Sequence, residues 1–158
     1  VLDAPVSVLQ SAIAIDSGTD GAVAVHHGGQ GSVVLFNNVF AALGPGTVVG
    51  IHLERLSLAQ AAGTAFSEIT PLLTVDRPRR QITGTDELDR SLRPEAFASV
   101  SSVQVPAAAC GDRFELSGGR LPVQLVNAGA DLQSVGGPDR DAHGRPFSSP
   151  PSIGPLAR

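Results

Sequence analysis

The chain of 158 residues is long enough for one domain of ordinary size, and its 42% hydrophobic residues supply one core. A net charge of −4, with only 16% charged residues, excludes the broad basic surface that nucleic acid or an anionic membrane would require. A single cysteine, Cys110, excludes an intrachain disulfide, and no apolar run has the length of a membrane span.

The first predicted elements are short strands separated by turn residues. Residues 1–12 are mixed in character and predict an N-terminal arm or a first edge element, and an apolar run at 13–15 ends at a turn signal. Ala22–His26 and Ser32–Phe36 are two β-prone runs on either side of a Gly-rich loop. This arrangement predicts a β-hairpin.

Two longer strands are predicted in the middle of the chain. Apolar residues alternate in Thr47–Leu58, and the phase of the alternation shifts by one residue near Glu54–Arg55, which predicts a β-bulge there. Alternation resumes from Ile69 to Val75. Pro71 has no N–H to donate to a ladder, so this second strand is predicted to lie at a sheet edge or to be locally unpaired.

The second half of the chain is less regular. Residues 76–95 are polar and lack a period, apart from one helical turn predicted at Asp86–Arg90 with Thr85 as its cap. Phe97–Val105 alternates as a strand, and a further strand pair is predicted over Asp112–Leu116 and Leu121–Asn127.

These elements predict an all-β fold with three parts. No internal repeat is recognisable, and about eight short strands at a spacing of roughly ten residues indicate an antiparallel β-sandwich or jelly roll. Residues 1–12 form the arm and 13–135 the sandwich, while the Pro/Gly/Ser-rich residues 136–158 form an extended tail. The tail offers three apolar side chains for contact with a partner: Phe147, Ile153 and Leu156.

Histidines and arginines are the candidate functional side chains. His26, His27, His52 and Glu54 could surround a divalent metal in a cupin-like barrel, although adjacent histidines on a strand point to opposite faces. The basic run that contains Arg77, Arg79 and Arg80 is typical of a solvated loop. No nucleophile elbow, phosphate loop or dinucleotide-binding fingerprint occurs.

Three segments resemble small β-sandwich structural proteins of tailed bacteriophages: Ile51–Leu56, the small-residue loop Ala61–Thr64, and Ile69–Asp76. Ser117–Val123 is similar in position to a later element of that group. The resemblance implies a virion role in decorating or cementing a capsid, or as a head–tail accessory protein that forms a symmetric oligomer. It implies no catalytic residues and no cofactor.

The predicted function is therefore that of a non-enzymatic virion structural protein, made in the host cytoplasm and located in the phage particle. Its predicted partners are further copies of itself, with a trimer favoured, and a major capsid or other virion protein, contacted through the two termini. Nucleic acid and membrane are not predicted partners. Two alternatives stay open, a cupin-like metal enzyme and a ligand- or carbohydrate-binding β-sandwich module, although the chain has no Trp or Tyr on which a sugar would stack.

Overall fold

The computed structural model describes residues 5–56, 59–105, 123–141 and 143–154. Within these ranges lie eleven strands, one α-helix and short 3₁₀ helices at Glu95–Phe97, Val123–Leu125 and Gln133–Val135. In chain order the elements are β1 (Val6–Leu9), β2 (Ala12–Ile15), β3 (Ala22–His27), β4 (Val33–Phe36), β5 (Val39–Ala42), β6 (Val48–Arg55), β7 (Ala59–Ala62), β8 (Ala65–Ser67), β9 (Leu73–Arg77), β10 (Arg80–Ile82), α1 (Thr85–Leu92) and β11 (Val103–Val105).

The strands form three sheets, and the first nine strands enter these sheets in turn along the chain. Face 1 contains β1, β4 and β7, face 2 contains β2, β5, β8 and β11, and face 3 contains β3, β6, β9 and β10. Among these described strands, every pairing is parallel except that of β10 with β9. Each set of three consecutive strands therefore makes one coil, and three stacked coils (β1–β3, β4–β6 and β7–β9) form a short parallel β-helix.

The predicted antiparallel sandwich is therefore wrong, and the fold is a mixed one of mostly parallel sheets with a helix. The predicted hairpin is wrong as well, because β3 pairs with β6 on face 3 while β4 pairs with β1 and β7 on face 1. Alternation of apolar residues is the same in parallel and antiparallel strands, so the pattern located strands without identifying their partners.

The coils repeat at a spacing that the side chains conceal. On face 1, Val6 pairs with Val33 and Val33 pairs with Ala59. The number of residues between equivalent positions of successive coils is therefore nearly, but not quite, the same in the two steps. On face 3, Ile51 pairs with Leu73, so fewer residues separate the second and third coils on this face than on face 1. Because the corners differ in length and equivalent positions hold different residues, the sequence shows no recognisable period.

The corner between faces 1 and 2 is the most regular part of each coil. Its first residue has a left-handed backbone in all three coils: φ is 49° at Gln10, 57° at Asn37 and 59° at Gly63. Asparagine and glycine adopt this conformation readily, and glutamine rarely does. Asn38, the second corner residue of the second coil, accepts a hydrogen bond from Ser11 N at 3.1 Å and donates one to Val8 O at 2.8 Å. This side chain locks the first two coils in register.

The core fills the inside of the β-helix and contains mainly aliphatic side chains. Phe40 and Phe66 are register partners on face 2, and their ring centroids lie 5.7 Å apart within the interior. Leu35, Ile51 and Leu53 are fully buried beside them. With no Trp or Tyr available, these stacked layers supply the buried apolar area that stabilises the fold.

The C-terminal segment, by which we mean the described residues from Val123 onward, covers the outer side of face 2 and part of the outer side of face 1. Leu125 and Ile153 pack on Val39 and Ala41, which project outward from β5, and all four are buried. Every residue of β5 is buried as a result, as expected for a parallel strand that is covered on both sides. Face 3 carries polar side chains on its outer side instead, and these are half-buried or exposed.

Three local predictions also differ from the structure. The register of β6 with β9 runs unbroken to Arg55, so no bulge lies at Glu54–Arg55 in this pairing. The strand that follows Pro71 is β9, which lies between β6 and β10 rather than at an edge, and Pro71 itself lies outside this strand. The helical turn is a full helix, Thr85–Leu92, whose N-cap residue is Gly84.

Predictions for the chain after residue 97 fare similarly where the structure describes it. Only Val103–Val105 of the predicted strand Phe97–Val105 is a strand, and Val123–Leu125 is a 3₁₀ helix. Asp112–Leu116 and Cys110 lie outside the described residues.

Candidate functional site

The two ends of the β-helix differ in how their strand edges are covered. In the third coil, α1 packs against β7, β11 pairs with β8, and β10 pairs with β9. Ile82, Leu88 and Leu92 from these covering elements are buried in the core. In the first coil, β1, β2 and β3 are each the outermost strand of their sheet. Within the described residues, no element pairs with their outer edges, and we call this surface the open end.

Interior positions of the first coil are only half-buried because no described element stacks on them. Val8, Ile13, Ile15 and Val25 pack against the core and stay partly exposed. Their register partners in the second coil are all buried: Leu35, Phe40, Ala42 and Ile51. Val6 is 43% exposed. At the open end, apolar side chains from the interior of the β-helix are therefore partly exposed.

The open edge also lacks the features that normally prevent strands from pairing between molecules. β1, β2 and β3 contain no Asp, Glu, Lys, Arg or Pro, and their only polar side chains are Ser7, His26 and His27. Natural edge strands usually carry charges, prolines or bulges, or are covered by another element. Among the described residues these three strands have none of these features, so their outer edges are a template for pairing with another chain.

Backbone direction identifies which groups point outward at this edge. Val39 N donates to Ser11 O and Leu43 N donates to Ile15 O, so the odd-numbered residues of β2 bond to β5. Alternate residues of a parallel strand bond to opposite neighbours. The N–H and C=O groups of Ala12 and Ala14 therefore point out of the open end.

The second candidate region is a row of polar side chains on the outer side of face 3. The rings of His26 and His52 lie edge to face, with centroids 4.8 Å apart. His52 Nδ1 lies 2.7 Å from Thr74 Oγ1, and His52 Nε2 lies 3.5 Å from Asp76 Oδ2. Glu54 Oε1 lies 3.5 Å from a guanidinium nitrogen of Arg77. The row thus holds the imidazole of His52 between a hydroxyl and a carboxylate.

An imidazole between a hydroxyl and a carboxylate is also the residue set of nucleophilic hydrolysis, but here it faces solvent. The side chain of Asp76 is 58% exposed, and its contact with the imidazole is longer than an ordinary hydrogen bond. Catalytic sites of this kind exclude water to strengthen their electrostatics. We therefore interpret the row as a cross-strand polar ladder that stabilises face 3.

The four residues predicted to surround a metal are only partly brought together. His26, His52 and Glu54 lie on the outer side of face 3, whereas His27 pairs with the inward-facing Leu53. A cupin-like barrel is not the fold. Among the described residues, no group of three or more His, Cys, Asp or Glu side chains is placed to hold a metal ion.

The predicted basic loop lies at the turn between β9 and β10. Arg80 forms an ion pair of 2.9 Å with Glu87 of α1, and Arg77 contacts Glu54 across face 3. Arg77, Arg79 and Arg80 are all exposed. Two of the three thus have a carboxylate nearby.

The predicted contact residues of the tail have different positions. Ile153 is fully buried against face 2, so it offers no surface to a partner. Phe147 is half-buried and lines a small cavity, and Leu156 lies outside the described residues. Residues 6–9 and 12–15, at the predicted N-terminal arm and just after it, are strands of the open end. Sequence reasoning missed the open end because it becomes visible only when the strands are assigned to coils.

Comparison with known proteins adds no functional information. No family model, curated protein or solved structure matches this chain. No helix in the described part of the chain is long and apolar enough to cross a membrane. The function is therefore argued from the geometry alone.

Proposed function

We propose that this protein is a non-enzymatic structural protein that assembles through the open end of its β-helix. The observation that carries this proposal is the asymmetry between the two ends. All three strands of the third coil have a covering neighbour, and none of the first-coil strands has one among the described residues. The open end combines unpaired backbone groups with half-exposed core side chains, and addition of strands from a partner satisfies both.

The partner that best fits this edge is the open end of a second copy. The other end ends in α1, β10 and β11 instead of three parallel strands of one coil, so it does not offer the same surface for a head-to-tail stack. Two open ends can meet around a two-fold axis, with edge strands pairing antiparallel across it. Such an isologous contact is closed, so it produces a dimer and no fibre. The proposal thus replaces the trimer that the sequence favoured with a dimer.

A virion stays the proposed setting for this assembly role. It is supported by the sequence resemblance to phage structural proteins, although the sandwich attached to that resemblance was wrong. Such a dimer carries two copies of every surface that does not take part in the dimer contact, so it can bind a repeating lattice at two places. Bivalent attachment of this kind strengthens the retention of the protein on the lattice without any new type of contact. The contact residues in this proposal belong to β1, β2 and β3 rather than to the tail.

Native mass measured by light scattering tests the proposal. We expect a species of about 32 kDa, twice the chain mass of 16.1 kDa. Ala14→Pro removes an outward-pointing N–H without disturbing the bonds of β2 to β5, and we expect it to yield a monomer. Ala14→Lys places a charge on the same edge and is a second variant in case the proline variant fails to fold.

Gln104→Pro is the matched control at the opposite end. Val103 N bonds to Thr64 O, so the N–H of Gln104 points away from β8, as that of Ala14 points away from β5. We expect this variant to stay dimeric. A monomeric wild type at all concentrations, or a folded Ala14→Lys variant that is still a dimer, would overturn the proposal.

A further inference from the structure

A small cavity lies between the first corner of the β-helix and the C-terminal segment. Its volume is about 40 Å³, enough for a cation with a bound water. Gln10 lines it from the first coil, and Asp131, Gln133, Asp139 and Ser148 line it from the C-terminal segment. No arginine or histidine is among the described lining residues, so no basic side chain on that wall balances the two carboxylates.

Gln10, which lines this cavity, carries a buried oxygen atom that has no hydrogen-bond partner among the described residues. The residue is 7% exposed, and its Nε2 lies 3.5 Å from Ser152 O. Its Oε1 is shielded from bulk solvent and accepts no hydrogen bond from the described part of the chain. The amide cannot simply be reversed, because Oε1 would then face the carbonyl oxygen of Ser152. A buried acceptor without a donor or a cation is unfavourable, and such groups are rare in folded proteins.

The backbone at Gln10 is a second departure from local preference at the same residue. Its φ of 49° lies in the left-handed region, where the equivalent corner residues are Asn37 and Gly63. A residue that lines the cavity is thus held in a backbone conformation that glutamine rarely adopts. Places where a residue breaks two local rules at once are frequently binding sites.

Oxygen atoms dominate the potential ligands. The amide oxygen of Gln10 and the carboxylates of Asp131 and Asp139 are hard donors. Among the described residues that line the cavity, none carries a thiol or an imidazole. One oxygen of Asp131 accepts Gln133 N at 3.1 Å, which leaves the other oxygen to bind a ligand. Calcium takes six to eight such oxygens from carboxylates, amide carbonyls and water with flexible geometry, whereas magnesium demands a near-ideal octahedron. We propose that this cavity binds Ca²⁺ through Gln10, Asp131 and Asp139.

A bound cation would connect the C-terminal segment to the first coil through three side chains. The segment is already attached there by the Gln10–Ser152 contact, and Phe147 N bonds to Asp139 O next to the cavity. The proposed ligands are two carboxylates and one neutral amide. The site is therefore compatible with the finding that no three His, Cys, Asp or Glu side chains of the described residues are placed to hold a metal ion. It does not depend on the proposed assembly of open ends.

Calorimetric titration of CaCl₂ into full-length protein stripped with EDTA tests the site, with thermal melting as the second readout. We expect one ion per chain, a dissociation constant on the order of 10⁻⁴ M as in sites with few carboxylates, and a Tm that rises with CaCl₂. MgCl₂ at equal ionic strength should raise the Tm less. Asp139→Asn and Gln10→Asn should each weaken binding at least about tenfold, and Gln10→Asn also keeps a residue suited to the left-handed corner.

Asp16→Asn is the matched control, since Asp16 is an exposed carboxylate of the first coil that does not line the cavity. We expect it to bind Ca²⁺ as the wild type does. No heat of binding, an equal response to MgCl₂, or unchanged binding in the double variant Asp131→Asn, Asp139→Asn would overturn the proposal.

Discussion

Replacement of Asn37 by glycine should release the C-terminal segment from the second coil. Asn37 Oδ1 accepts a hydrogen bond from Ala130 N at 2.7 Å, and its Nδ2 donates one to Ala130 O, also at 2.7 Å. Both residues are fully buried. The Asn37→Gly variant therefore leaves the N–H and the C=O of Ala130 without these partners, at a site that is fully buried in the wild type.

The expected loss of stability follows from these two groups. A buried backbone group that loses its partner costs about 1–3 kcal/mol, so two groups cost about 2–6 kcal/mol of unfolding free energy. Glycine accepts the φ of 57° at this position, so the substitution adds no backbone strain. For a chain of this length each kcal/mol shifts Tm by about 2–4 °C, and we expect a fall on the order of 10 °C.

Asn127→Gly is the matched control for this experiment. Asn127 is also left-handed, with a φ of 53°, but its side chain accepts a hydrogen bond from Ser148 in an exposed position. Its loss should stay within about 0.5 kcal/mol, as for most surface changes. Urea unfolding followed by far-UV circular dichroism is the suitable assay, because the chain has no Trp or Tyr for fluorescence. Equal stability of the two variants would refute the role assigned to Asn37.

Further predictions concern packing and acid stability. Gly44→Ala would drive a Cβ into the backbone of Ser17 in the first coil, and a loss of about 3 kcal/mol is expected in the same assay, whereas Gly18→Ala meets nothing within 4 Å and should be neutral. Ile153→Ala should cost about 2–5 kcal/mol because the side chain is fully buried, and Val135→Ala, 51% exposed, should cost little; equal losses would contradict the packed position of the tail. The carboxylate of Asp20 accepts hydrogen bonds from a backbone N–H and a hydroxyl of the second coil, which lower its pKa below the ordinary 3.8. The stabilising effect of this carboxylate is thus complete above the pKa of the unfolded state and is lost as the pH falls through the pKa of the folded state. The Tm of Asp20→Asn should therefore depend less on pH between about pH 5 and pH 2 than the Tm of the wild type. Identical curves of Tm against pH would contradict this prediction.

The candidate site was only partly predictable. The sequence pointed to His26 and His52 through their strand positions, and the structure does place them side by side. It could not reveal the cavity at Gln10, because that residue meets Asp131 and Asp139 only through contacts between opposite ends of the chain. Ile153 was interpreted as a contact residue since a Pro/Gly-rich segment has no periodicity that would mark it as part of a core.

The sequence by itself determined where several strands lie and what their surfaces carry. Alternation located β3, β4 and β6 to within a few positions at each end, because a period of two follows from the pleat of any strand. Tertiary structure alone decided that the strands pair in parallel between coils, that Leu125, Ala130, Leu132 and Ile153 pack on the outer sides of faces 1 and 2, and that no described element pairs with the outer edges of β1, β2 and β3. Pairing depends on which edges meet after the corners have turned. The corners differ in length and composition, and the chain returns to face 3 after fewer residues than to face 1. The sequence therefore has no periodic signal from which the strand pairing could be inferred.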